Sequence, residues 1–123
     1  MGRWNYFSDE EAKGLDVELL AKLDQARHRA GTEFIITDGL RTAATNTDPN
    51  AVQDSAHLTG HAVDLRCQGS RYLWKMLDGL FAAGFKRIGI YFYLEQERVR
   101  ISHVHVDNDL TKDQEVVWLT VEK

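Results

Sequence analysis

Ser55-Ala56-His57-Leu58-Thr59-Gly60-His61-Ala62-Val63-Asp64 places two imidazoles just ahead of a carboxylate, and Ser102-His103-Val104-His105-Val106-Asp107 answers it further along the chain. A strand sends alternate side chains to one face, so Ala62 and Asp64 share a face, as do His103, His105 and Asp107. Gly60 permits the sharp turn that returns His57 towards Asp64. A divalent metal can then take His57, Asp64 and His105, with His103 left to handle protons. Three protein ligands and one open position are what a catalytic zinc requires. A structural zinc usually closes with four ligands rich in cysteine, and this chain has a single cysteine, Cys67.

Histidines are more often solvated or satisfied in the core than metal-bound. Here four of the five fall in two tight clusters. His57 and His61 also have the i, i+4 spacing of the helical H-E-x-x-H zinc motif. That match fails, because Leu58 stands at the glutamate position and Gly60 weakens a helix. His61 reads as a lip residue or bystander, and His28 as a solvated helix residue.

Working outward, Ser8-Asp9-Glu10-Glu11 fits a capping box for a short helix that Gly14 interrupts. Leu15, Leu19, Leu20, Leu23 and Ala26 recur at helical spacing, with Asp16 as N-cap and Gly31 as the stop. Residues 33–37 read as a strand entering an Asp38-Gly39 turn. Residues 41–54, with the lone proline Pro49, read as a long exposed loop, a kind of segment that is usually functional or mobile. Residues 61–65 alternate as a strand. A second helix is predicted over 70–83, with Leu73, Trp74, Leu77, Leu80 and Phe81 on one face and Gly84 ending it. Strands follow at 85–94, 99–106 and 115–121. This order predicts an α+β domain with a small, largely antiparallel sheet and helices packed on it.

The 123 residues make one domain, residues 1–123, large enough for a core without disulfides. A hydrophobic share of 43% and a charged share of 28% are ordinary for a soluble globular protein. The net charge of -4 carries no footprint for nucleic acid. Arg98 and Arg100 read as a solvated strand face, and Cys67 as a small core residue. No stretch is long enough to insert in a membrane. The N-terminal MGRWNYFSDEEAKG has no apolar run of signal-peptide length. Synthesis in the cytoplasm, and action elsewhere only after release, is the expectation, for a chain working as a monomer.

SAHLTGHAVD resembles the S-x-H-x-x-G-x-A-x-D signature of the zinc D-alanyl-D-alanine carboxypeptidase and L-alanyl-D-glutamate endopeptidase superfamily. HVHVD resembles its C-terminal H-x-H motif, TDGLRT its S-G-x-R-[ST] segment, and RIGIY the strand leading to the last motif. The similarity runs in the expected order over roughly residues 15–107. It implies a hedgehog/DD-peptidase-like fold and one zinc per chain held by His57, Asp64 and His105. It implies Ser55 holding a substrate carboxylate or backbone group, and Arg41 steadying the scissile carbonyl. The implied substrate is a peptidoglycan stem peptide, cut as small phage endolysins cut the cell wall.

Many members carry an acidic residue three positions before the last ligand, where this chain has Ser102. His103 is therefore the candidate base, with Glu97 in reserve. Asp38 replaces the usual small hydroxyl residue before Gly39. The vacancy at Ser102 also sustains a second reading, a non-catalytic zinc-binding module, as in hedgehog-type signalling domains; a virion structural component with the same fold is a third. Trp74, Tyr91 and Tyr93 could line a cleft, but their default assignment is core or sheet-face packing, outside the site.

Overall fold

A computed structural model describes residues 4–38 and 60–122, apart from the Asp38 side chain. The elements run α1 (Asp9–Ala12), α2 (Val17–Ala30), β1 (Ile36–Asp38), β2 (Ala62–Arg66), α3 (Ser70–Ala82), β3 (Arg87–Glu95), β4 (Arg98–Asp107) and β5 (Val116–Val121). The local signals set the helix ends. Ser8 and Glu11 form the reciprocal capping box of α1. Asp16 caps α2 through the Leu19 N–H, and Gly31 closes it in the left-handed conformation.

Asp16 does more than cap. One carboxylate oxygen also accepts from Asn108 Nδ2 at 3.0 Å, tying the start of α2 to the end of β4. Partial burial opposes ionisation of Asp16, but the bonds from Asn108 and Leu19, with His61 nearby, hold its pKa below the ordinary aspartate value. A depressed pKa means that its stabilising contribution is complete above about pH 4 and fades as acid protonates the native carboxylate. Asp16→Ala should therefore lower the unfolding free energy by ~1 kcal/mol at pH 7. Urea titrations should show the deficit shrinking at pH 3; a deficit independent of pH would rule out the charged cap.

The five strands form one sheet in the order β1-β2-β4-β3-β5. The β1–β2, β2–β4 and β3–β4 pairings are antiparallel, but β5 runs parallel to β3, so the sheet is mixed. Connectivity explains this departure from the antiparallel expectation. The chain reverses after β4, whose two flanks β2 and β3 already occupy. It therefore crosses the end of β3 and lies along its outer edge, in β3's own direction.

One sheet face packs on α2 and α3. Val63, Leu65, Val104, Val106 and Ile88 are fully buried there, with Leu19, Leu23, Met76 and Leu80 from the helices. The predicted apolar stripe of α3 is rotated. Met76, Gly79 and Leu80 are buried, while Trp74 is 71% and Phe81 54% exposed. The cause is the crossing with α2: a Cβ on Gly79 would collide with the Ala26 carbonyl, so the helices meet at this pair of small residues. Cys67 is buried, and burial pushes its thiol up to about 11. His28, expected to be solvated, is exposed but also bonded through Nδ1 to the Tyr6 hydroxyl at 2.6 Å.

Candidate functional site

The opposite sheet face gathers the polar residues. Register sets Asp64 against His105, Arg66 against His103 and Ala62 against Asp107. On the other flank of β4, Gly89 faces His105 and Tyr91 faces His103. Directly opposed residues share a face, so one row across the sheet reads Asp64, His105, Gly89, Trp118. The next partner of β3 after His103 is Ile101, leaving Ser102 as the extra residue of a bulge. Bulges recur beside active sites because they re-aim side chains.

Asp64 and His105 meet across this row, with Oδ1 3.1 Å from Nδ1. The other imidazole nitrogen, Nε2, lies 2.7 Å from Asp107 Oδ2. Asp107 is almost wholly buried, and its second oxygen accepts from Arg87 Nε at 2.8 Å and from the Asp109 N–H at 3.1 Å. Burial opposes charge on both groups. Mutual hydrogen bonding outweighs it, raising the pKa of His105 and lowering that of Asp107. Arg87 also lies over the Trp118 ring, 5.0 Å from its centroid, and Trp118 sits 5.6 Å from the His105 ring. Gly89 makes room for that indole, since a Cβ there would come within 2.5 Å of it.

His103 occupies the neighbouring row. Its Nε2 is 3.9 Å from Asp64 Oδ2, and its ring stacks on Tyr91 with centroids 4.4 Å apart. Nδ1 is 2.9 Å from Ser102 Oγ and 3.4 Å from Glu122 Oε1.

The structure thus brings Asp64, His103 and His105 together. His57, Arg41 and Ser55 lie outside the described residues. Glu97 sits in the tight turn between β3 and β4, with φ of 65°. It is six residues from His103 along an extended strand, about 20 Å at 3.3 Å per residue, and does not join the group. His61 lies 3.8 Å from Asp16 Oδ1, at the N-cap of α2. Asp107 is visible in the sequence as sharing the face, but its contact with His105 is not. Glu122 escapes sequence reasoning altogether, Arg87 and Tyr91 enter it only within the RIGIY segment or as packing, and Trp118 is not singled out. Only the alternation of Val116–Val121 hints that Trp118 is on the polar side.

The sequence profile of the peptidase M15 family matches residues 5–107. The chain belongs to the peptidase M15 family. No curated protein and no solved structure gives a significant match. M15 peptidases are zinc-dependent metallopeptidases related to D-Ala-D-Ala carboxypeptidases. The matched span covers the clusters at 57–64 and 103–107 and ends before β5. Among the described residues no helix is long and apolar enough to cross a membrane. Among them, too, no three His, Cys, Asp or Glu side chains are arranged to hold a metal ion. Two are close to such an arrangement. With metal–ligand bonds of about 2.0–2.1 Å, adjacent corners of a zinc tetrahedron lie roughly 3.3 Å apart, and Asp64 and His105 are set 3.1 Å apart. The carboxylate on the far nitrogen of His105 matches the outer-shell partner that metal-binding histidines carry. Asp64 and His105, the two donors among the described residues, are of types that zinc accepts.

Proposed function

We propose that this M15 protein is a zinc peptidase that hydrolyses amide bonds in peptidoglycan stem peptides, in the manner of a D-Ala-D-Ala carboxypeptidase or an L-Ala-D-Glu endopeptidase. The observation that carries the proposal is the Asp64–His105 pair, with His105 Nδ1 turned to Asp64 because Asp107 holds Nε2. Asp64 and His105 would hold the metal together with His57. Zinc bound there supplies Lewis-acid chemistry, activating water near neutral pH and polarising a carbonyl.

The chain's own residues supply the rest. His103 Nε2, beside Asp64, takes the proton of the attacking water and returns it to the leaving amine nitrogen. Asp107 and Arg87 keep the His105 ring from rotating. Arg41 steadies the negative charge that develops on the carbonyl oxygen, and Ser55 holds a substrate carboxylate or backbone group. Stem peptides carry free carboxylates, which suit a site that combines zinc, Arg41 and Ser55. The chain would work as a monomer at the cell wall after release, as a phage endolysin does.

Mass spectrometry of purified peptidoglycan after digestion, with and without chelator, tests the proposal and names the bond cut. His103→Ala should retain about one zinc per chain while turnover falls by ~100-fold or more. Wild-type turnover in that variant would remove His103 as base. Zinc retention with no peptide released by the wild type would support a binding module instead.

A further inference from the structure

We propose that Glu122, the residue that follows β5 beyond the family-matched segment, is a positioning residue for His103. The inference rests on the reading of His103 as base. The acidic residue expected three positions before the last ligand is replaced by Ser102. The structure returns a carboxylate to the same neighbourhood by another route. β5 lies beside β3 on the edge of the sheet, its register fixed by Val116 N–H to Lys86 O and Glu122 N–H to Phe92 O. This register carries Glu122 to the polar face, where Oε1 lies 3.4 Å from His103 Nδ1.

Tyr91 stacks on the ring at 14° between planes, fixing its plane. Ser102 Oγ and Glu122 Oε1 both address Nδ1. A hydroxyl alone can donate or accept, so Ser102 permits either tautomer. Glu122 makes no hydrogen bond to the ring, but its carboxylate 3.4 Å from Nδ1 favours, by charge, the form with hydrogen on that nitrogen. Nε2, the nitrogen facing Asp64, is then the bare one, as a base requires. Glu122 orients the ring as the acidic member of a triad orients its histidine. The proton itself passes from water to Nε2 and on to the leaving nitrogen.

The test is steady-state hydrolysis of soluble muropeptides by the full chain, with zinc content measured on each sample. Glu122→Ala should lower kcat about 10-fold, part of the 10²–10⁴ that acid–base catalysis supplies. KM and zinc content should stay at wild-type values. Glu122→Gln, which keeps a side-chain oxygen of the same reach beside Nδ1, should recover to within about 3-fold of wild type. In a His103→Ala background, Glu122→Ala should change nothing further. Wild-type kcat in Glu122→Ala, no recovery in Glu122→Gln, or an undiminished loss in the His103→Ala background would each overturn the assignment. Wild-type turnover in His103→Ala alone would refute the base itself, a failure distinguishable from that of Glu122.

Discussion

Asp64→Ala is expected to leave a folded protein that holds no zinc and releases no peptide. Its side chain is the hub of the polar face, 3.1 Å from His105 Nδ1 and 3.9 Å from His103 Nε2. Removing it deletes the only anionic member of the proposed ligand set, leaving two neutral imidazoles that belong to distant parts of the chain. Turnover should drop by more than ~10³, because losing the metal forfeits water activation and carbonyl polarisation together. Stability should change far less. Asp64 is at the open face of the sheet, while its neighbours Val63 and Leu65 carry the core packing. Compared metal-free, the variant should unfold within about 1 kcal/mol of wild type. Metal analysis, peptidoglycan digestion and urea unfolding on one preparation read all three. Stoichiometric zinc in the variant would place the metal elsewhere and end the proposed site.

How much of this was legible in the sequence depends on how local each signal is. The caps at Ser8, Asp16 and Gly31 act within one turn of backbone, so residue type alone locates the helix ends. Strand parity is equally local, and it places Asp64 with one face of β2, and His103, His105 and Asp107 with one face of β4. What parity cannot say is which strands are neighbours. The direction of β5 follows from β4 having no free flank, a fact about the whole sheet. The contacts of Trp118 with His105 and of Glu122 with His103 inherit that dependence. The rotation of α3 has the same character. Hydrophobicity favours Trp74 and Phe81 as core, but the approach of two backbones at Ala26 and Gly79 decides which face turns inward. Arg87 and Asp107 are far apart in sequence and meet only because β3 and β4 pair.

Gly60→Ala should produce the largest loss of stability of any single methyl addition near the site. The motif glycine invites a purely conformational explanation, and its φ of 77° supplies one. A left-handed backbone costs an alanine ~1–2 kcal/mol. The structure adds a second requirement. Gly60 is buried, its carbonyl accepts from the Asp16 N–H at 2.8 Å, and a Cβ would run into the carbonyl of Gly14. That obstacle is backbone, pinned by the link from α1 to α2, and cannot swing aside as a side chain would. Forced packing of this kind costs a further ~1–3 kcal/mol. A total of about 3 kcal/mol is a large part of the 5–15 kcal/mol that hold a typical domain folded. Gly31 isolates the two causes. It has nearly the same conformation, φ of 68°, but nothing within 4 Å of where its Cβ would stand. Gly31→Ala should therefore cost only the ~1–2 kcal/mol of the left-handed conformation. Urea unfolding of both variants gives the difference directly. Equal losses would show that the Gly14–Gly60 contact yields freely. A clearly greater loss at Gly60 would show that this glycine is required because the segment leading into Asp64 is pressed against the start of α2.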